Sequence, residues 1–204
     1  MKISMHLIYL KHTLRHKWFV FRASRKLGIT WLGILHDISK FSFDEWKPYV
    51  ERHYNKFIKG QPASEEFKKA FLLHLKRNAH HWQYWLQAVQ IGHFPYCVDE
   101  YKRGSDWSCN SFIEVYEALK LPLVEGEVTS GYTKKLVEYL EGTCVFYIYA
   151  GKMPEKYAKE MLADWIGAGE ALRNLSIQEW YEKNKNNIIL HEETRKWIEE
   201  QILK

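Results

Sequence analysis

The chain has little from which a disulfide framework could be built. Its three cysteines, Cys97, Cys109 and Cys144, cannot all pair, and none sits in a Cys-x-x-Cys motif. Reduced thiols and a cytoplasmic setting are therefore expected. Long apolar runs are missing too. The most apolar late stretch, Cys144 to Ala150, falls far short of the roughly 20 residues a spanning helix needs, so no membrane partner is expected. The N-terminal residues mix Lys and Arg with apolar side chains and offer no small-residue cleavage site, unlike a signal peptide. No internal repeat or low-complexity tract is found, which argues against a solenoid. Strong charge imbalance is absent as well. The formal net charge is +5, with basic residues spread along the chain. That suits a small anionic substrate and gives no clear nucleic-acid footprint.

What remains is the composition of a folded globular chain. Of 204 residues, 46% are hydrophobic and 27% charged, enough for one domain with a sizeable core. Aromatics reach 16%, including nine tryptophans, and are expected to fill the spaces between helices.

Periodicity predicts an all-α fold. Leu7, Leu10, Leu14, Trp18 and Phe21 recur at helical steps within a helix from Ser4 to Leu27, and Gly28 suits its C-terminal cap. Thr30 can cap a short apolar helix from Trp31 to Ile38. The run Ser42-Phe43-Asp44-Glu45 reads as a capping box for a helix to Ile58. A helix carrying His74 follows, with a break near Asn78 and a second helix to about Ile91. Residues 93–131 mix Gly, Pro, Ser and aromatics and read as an irregular insertion or lid, with one helix from Ser111 to Leu119. Helical pattern returns at Thr133 to Tyr149, although Val145 to Tyr149 is β-rich by propensity. Pro154 can open a helix to Leu172, Ser176 to Glu179 is a second capping box, and Glu192 to Leu203 closes the pattern.

His36 and Asp37 are adjacent at the end of an apolar helix. Burying such a pair without a partner is costly, and a divalent cation is one partner that suits imidazole and carboxylate together. By itself the dipeptide is weak evidence, and a polar helix end is the favoured reading of it. His74, His80 and His81 form a second concentration, three histidines within eight residues. Asp164 sits alone among apolar residues at helical spacing, and a buried lone aspartate needs compensation. His12 shares a helix face with His16 and reads equally as a ligand or a half-exposed histidine. Glu160, one turn before Asp164, reads as a solvated glutamate or as a carboxylate orienting a histidine.

The order of these residues resembles the HD-domain superfamily of metal-dependent phosphohydrolases. The stretch from His16 through Leu27-Gly28 to Leu35-His36-Asp37-Ile38-Ser39-Lys40 is similar to its opening, where one helical histidine precedes a short helix ending in His-Asp. Members with more than one metal add a histidine and a His-His pair, here His74 and His80-His81. The distant closing aspartate corresponds to Asp164. The runs from His12 to Lys17, His36 to Phe41, His80 to Trp85, Glu160 to Trp165 and Trp180 to Asn184 resemble a family of short, uncharacterised HD-like phage and bacterial proteins. That resemblance covers most of the chain except about residues 93–143. It implies a metal set of His12, His16, His36, Asp37, His74, His80, His81 and Asp164, holding two or more divalent ions of Mn, Fe or Zn.

Three functional classes follow. The first is hydrolysis of a phosphate ester, in particular a nucleotide. Asp37 and Lys40 would be catalytic, and Arg15, Lys40, Lys76 and Arg77 would contact phosphate. The second is a di-iron oxygenase, because a minority of HD-fold enzymes hold two irons with such ligands. The third is a helical binding protein stapled by metal, against which the number of candidate ligands stands.

Overall fold

The computed structural model describes residues 3–59, 62–94, 109–111, 128–129, 132–139, 142–172 and 176–204. The chain forms two compact units. One comprises Met1–His81 with Pro154–Tyr181, the other Trp82–Met153 with Glu182–Lys204. Among the described residues the helices are α1 (Ile3–Lys26), α2 (Thr30–Leu35), α3 (Phe43–Lys59), α4 (Glu65–Arg77), α5 (Glu155–Leu172), α6 (Ile177–Asn184) and α7 (Glu192–Ile202).

The first unit is the helical bundle that the periodicity predicts. Helix α1 is its spine and packs against α2, α3 and α5, while α3 packs against α4. Gly28, at φ +74°, ends α1 in the left-handed conformation a side chain resists. Bonds from Ile29 N to Ser24 O (2.9 Å) and Gly28 N to Arg25 O (3.3 Å) complete a Schellman cap.

Two glycines set how closely the helices meet. A Cβ on Gly33 of α2 would lie 2.5 Å from Ser24 Cβ, and one on Gly167 of α5 would lie 2.7 Å from the backbone N of Val20. Val20 is one turn beyond His16, and Gly167 is three residues beyond Asp164. The α1–α5 contact that brings these two candidates together thus depends on a missing side chain. Val20, Ala23 and Ala163 form the small apolar cluster at that contact.

The orientation of α1 differs from the expected one. Leu7, Leu14 and Trp18 face solvent, as does Trp31 of α2. The buried residues of α1 are Tyr9, Thr13, Val20, Ala23 and Ser24. The face turned inward is the one in line with His16, because the bundle interior holds a polar cluster rather than a leucine core. Other tryptophans pack as expected: Trp165 lies between Trp180 (centroids 5.1 Å apart) and Tyr181 (6.1 Å).

The second unit contains a five-stranded antiparallel sheet in the order β2-β1-β5-β4-β3. Its strands are β1 (Leu86–Phe94), β2 (Cys109–Ser111), β3 (Val128–Thr129), β4 (Tyr132–Tyr139) and β5 (Gly142–Ala150). Two expected helices are replaced here. The one running to Ile91 becomes a short 3₁₀ turn, Trp82–Trp85, followed by β1. The one from Thr133 to Tyr149 becomes the β4–β5 hairpin, in which Tyr139 pairs with Gly142 and Tyr132 with Tyr149. Alternating β-branched and aromatic residues decide that segment once cross-strand partners exist. The helix expected from Ser111 to Leu119 lies, beyond Ser111, outside the described residues, as does most of 93–131. In the same unit Thr194 Oγ1 of α7 accepts from Met153 N (3.2 Å).

Candidate metal centre

The site begins with a break in the backbone. Helix α2 stops at Leu35, His36 is extended (φ −47°, ψ 129°), and Asp37 is left-handed (φ 55°, ψ 26°). Asp37 is the non-glycine residue with positive φ among those described. Aspartate tolerates that region better than most residues, though such positions still cost on the order of 1–3 kcal/mol. The turn is held by Lys40 N donating to Asp37 O (3.1 Å) and by Lys17 Nζ donating to the carbonyls of Ile34 (3.3 Å) and His36. His36 and Asp37 are both buried, at 1% and 2% exposure.

Two ligand sets flank the Asp37 carboxylate. On one side, Oδ2 lies 3.4 Å from His36 Nε2 and 3.9 Å from His16 Nε2. Asp164 Oδ1 closes this set at 3.1 Å from His16 Nε2 and 3.3 Å from His36 Nε2. On the other side, Oδ1 lies 3.2 Å from His74 Nε2 and 3.4 Å from His80 Nε2. His81 joins this second set, its Nε2 2.9 Å from His74 Nε2. Both groups, His16–His36–Asp164 and Asp37–His74–His80–His81, are compact enough to hold a metal ion. The break expected near Asn78 makes the second set possible: α4 ends at Arg77, and the turn after it carries His80 and His81 back toward His74.

The ring nitrogens on the far side are fixed by other carboxylates. Glu160 Oε1 lies 3.3 Å from both His36 Nδ1 and His80 Nδ1. Glu45 Oε2 lies 2.8 Å from His74 Nδ1 and accepts from Ser39 Oγ at 3.1 Å. A carboxylate accepts only, so each Nδ1 must carry a proton, and in the neutral ring Nε2 presents its lone pair inward. His36 Nε2, His80 Nε2 and Asp37 Oδ1 are buried without a hydrogen-bond partner. Such orphans are rare in a folded protein, and inward lone pairs beside a carboxylate suit a cation. A third compact group, His36–His80–Glu160, reflects this orienting role, because its contacts run through Nδ1.

Without a cation, protons do its work. Burial disfavours charge on His36, but the Asp37 carboxylate, with the Asp164 and Glu160 carboxylates close by, outweighs it and raises its pKa well above the usual value. His74 is raised as well, burial again being outweighed by Asp37 and Glu45. Burial would raise the Asp37 and Asp164 carboxyls, yet the neighbouring imidazoles, with Lys40 beside Asp37, hold both well below the carboxylate range. His81 is pushed down by burial and by the other two histidines of its set.

The remaining predicted residues fall in different places. Lys40 Nζ lies 2.5 Å from Asp37 Oδ2, at the edge of the centre. His12 is outside all three compact groups; its ring packs on His53 at 4.7 Å, and burial, with His53, lowers its pKa to about 4. Arg15 is exposed over the Phe19 ring. Lys76 is half-buried on α4. Arg77 is engaged by carboxylates, at 2.6 Å from Asp44 Oδ2 and 3.0 Å from Glu45 Oε1, which takes it away from the expected phosphate role. Glu45 is the residue beside the centre that the sequence concealed. The Ser42–Glu45 spacing reads as a capping box, but Glu45 turns inward to His74, and Ser42 Oγ bonds Ser39 O and Asp44 instead. Its place two residues after a phenylalanine gives no signal of this. The second capping box does form, with Ser176 N donating to Glu179 Oε2 and Glu179 N to Ser176 Oγ.

Two cavities adjoin the first ligand set and share His12, His16 and Lys40. One, of about 190 Å³, runs along α1 and α3. The other, of about 240 Å³, is bordered by Asp164, Ala168, Ala171 and Leu172. The side chains of His16 and Asp164 keep 13% and 18% exposure, whereas those of His36, His74 and His80 keep at most 2%, so the centre opens on the His16–Asp164 side. Among the described residues no helix is long and apolar enough to cross a membrane.

No curated protein and no solved structure matches the chain. A family model does, over residues 5–101 and 145–204, and these segments contain every side chain of the centre. The chain belongs to that family, described as a family of unknown function (DUF5662).

Proposed function

We propose that this chain is a metal-dependent phosphohydrolase of HD type that acts on a small phosphate ester, in particular a nucleotide, and that two divalent ions would be held by the two ligand sets beside Asp37. One observation carries the proposal: the two oxygens of a single buried carboxylate face two separate histidine sets. A pair of divalent ions at such positions would activate a water and polarise the phosphoryl oxygen. His16, His36 and Asp164 would hold the first ion, and His74, His80 and His81 the second. Glu160 and Glu45 orient the rings. Lys40, beside Asp37, would offset charge growing on a phosphoryl oxygen. The opening between His16 and Asp164 admits substrate, and the buried remainder keeps bulk water out.

The shared carboxylate also suits two irons, which supports a di-iron oxygenase as the second reading. Metal analysis of the purified protein, with nucleotides and phosphate esters assayed with and without oxygen, separates the two. Hydrolysis requires two divalent ions per chain and phosphate release independent of oxygen, abolished in Asp37→Ala. Asp37→Asn, which retains a residue tolerant of the left-handed conformation, controls for backbone strain and is expected to be inactive as well. Turnover that needs iron and oxygen, with no ester cleaved, rejects hydrolysis.

A further inference from the structure

The cavity of about 190 Å³ between α1 and α3 extends well beyond the metal ligands. Helix α3 lines it at steps of three, four and seven from Tyr49, with Arg52, His53 and Lys56, a single helix face. Arg52 and Lys56 are one turn apart. The Arg52 guanidinium lies 5.7 Å from the Phe67 ring centroid, which closes another side. Lys40 connects this cavity to the centre, its Nζ 2.5 Å from Asp37 Oδ2 and 5.6 Å from the Tyr49 ring centroid. Among the described residues lining the cavity none is a carboxylate, whereas Lys40, Arg52 and Lys56 all line it.

The neighbouring cavity is different. Beyond the shared His12, His16 and Lys40 it is bordered by Asp164, two alanines and Leu172. It offers small apolar walls and a carboxylate where the first offers cations and aromatic rings. Concave sites of one charge concentrate an oppositely charged group, and a guanidinium is suited to recognising phosphate. A reacting phosphoryl group at the His16–Lys40 junction would have the cavity of Arg52 and Lys56 on one side and the one that holds the Asp164 carboxylate on the other.

We infer that the α1–α3 cavity binds a second anionic group of the substrate, so that the preferred substrate carries two phosphates rather than one. This rests on the phosphohydrolase reading above.

The test compares adenosine 5′-monophosphate with adenosine 5′-diphosphate and adenosine 3′,5′-bisphosphate on the metal-loaded protein. Binding is read by calorimetry, turnover by phosphate release. At least one two-phosphate ligand should bind at least tenfold tighter than the monophosphate. The Arg52→Gln/Lys56→Gln double variant, checked for helix content and metal content, should reduce that advantage to less than threefold. Equal wild-type binding of all three ligands overturns the inference, and this comparison stands even if the variant does not fold. An advantage that survives in the folded double variant overturns it too. The two readings fail separately. Ester hydrolysis with no advantage from a second phosphate sinks the inference alone. A two-phosphate advantage lost in the variant, with no ester hydrolysed, upholds the anion site and rejects the hydrolase.

Discussion

His81 Nε2 stands 2.9 Å from His74 Nε2, although the helix that carries His74 ends four residues before His81. Two imidazole nitrogens at this distance need a proton or a cation between them. Glu45 holds one proton of His74 on Nδ1, so at Nε2 a neutral His74 offers a lone pair to a cation and a protonated His74 offers a second N–H to His81. This side of Asp37 is therefore the more discriminating test of whether two ions bind.

His74→Ala should lower metal content from two ions per chain to one, because His16, His36 and Asp164 are untouched. Elemental analysis of the dialysed protein measures this directly. One ion per wild-type chain, unchanged by the substitution, would sink the two-ion reading.

Glu160→Gln should weaken metal binding about 10- to 100-fold at both positions, the usual effect of losing an orienting carboxylate. Glu160 contacts His36 on one side and His80 on the other. Glu45→Gln should act on the His74 side alone. Competition with a chromophoric chelator distinguishes the two patterns, and equal effects from both variants would count against the assigned geometry.

The pH dependence follows from the displaced protons. In metal-free protein the pKa of His36 is raised above its ordinary 6.5. The stability it contributes is full below 6.5 and is lost as pH rises through the raised value. The Asp37 and Asp164 pKa values are depressed below the ordinary 3.8. Their contribution is present above 3.8 and is lost as pH falls through the depressed values. These three groups favour metal-free protein most between about pH 4 and 6.5, whereas His12 and His81, whose pKa values are lowered, take stability away as pH falls below 6.5. Metal must displace the imidazole protons, so its stabilising effect should grow as pH rises above that window. Thermal unfolding from pH 4 to 9, with and without chelator, checks both arms. A metal effect that is flat across this range would contradict them.

Gly167→Ala should destabilise the bundle by about 1–3 kcal/mol through overpacking against the Val20 backbone. It should also loosen metal binding on the His16–Asp164 side. Denaturant unfolding with metal analysis reads both effects, and unchanged stability would show that α1 and α5 yield without cost.

Much of the centre was legible in the sequence because metal chemistry restricts residue type and because short helices place ligands at fixed steps. His36, Asp37 and Asp164 stand out as polar residues beside apolar ones, His74, His80 and His81 stand out by clustering, His16 follows from the resemblance to the HD-domain superfamily, and all seven fall in the compact groups. The bundle helices were equally legible, since their caps and periods are local: Gly28 ends α1, and Ser64 accepts from Phe67 N to open α4. Nonlocal interactions decided the rest. Whether Ser42–Glu45 caps a helix or Glu45 orients His74 depends on a histidine 29 residues away. Which face of α1 is buried depends on what occupies the bundle interior, so Leu7, Leu14 and Trp18 face water while the His16 side turns inward. Residues 132–139 and 142–150 carry competing propensities and become strands because antiparallel partners are present in the folded chain. Local sequence fixes caps, turns and ligand chemistry; long-range packing chooses which of the available faces and partners are used.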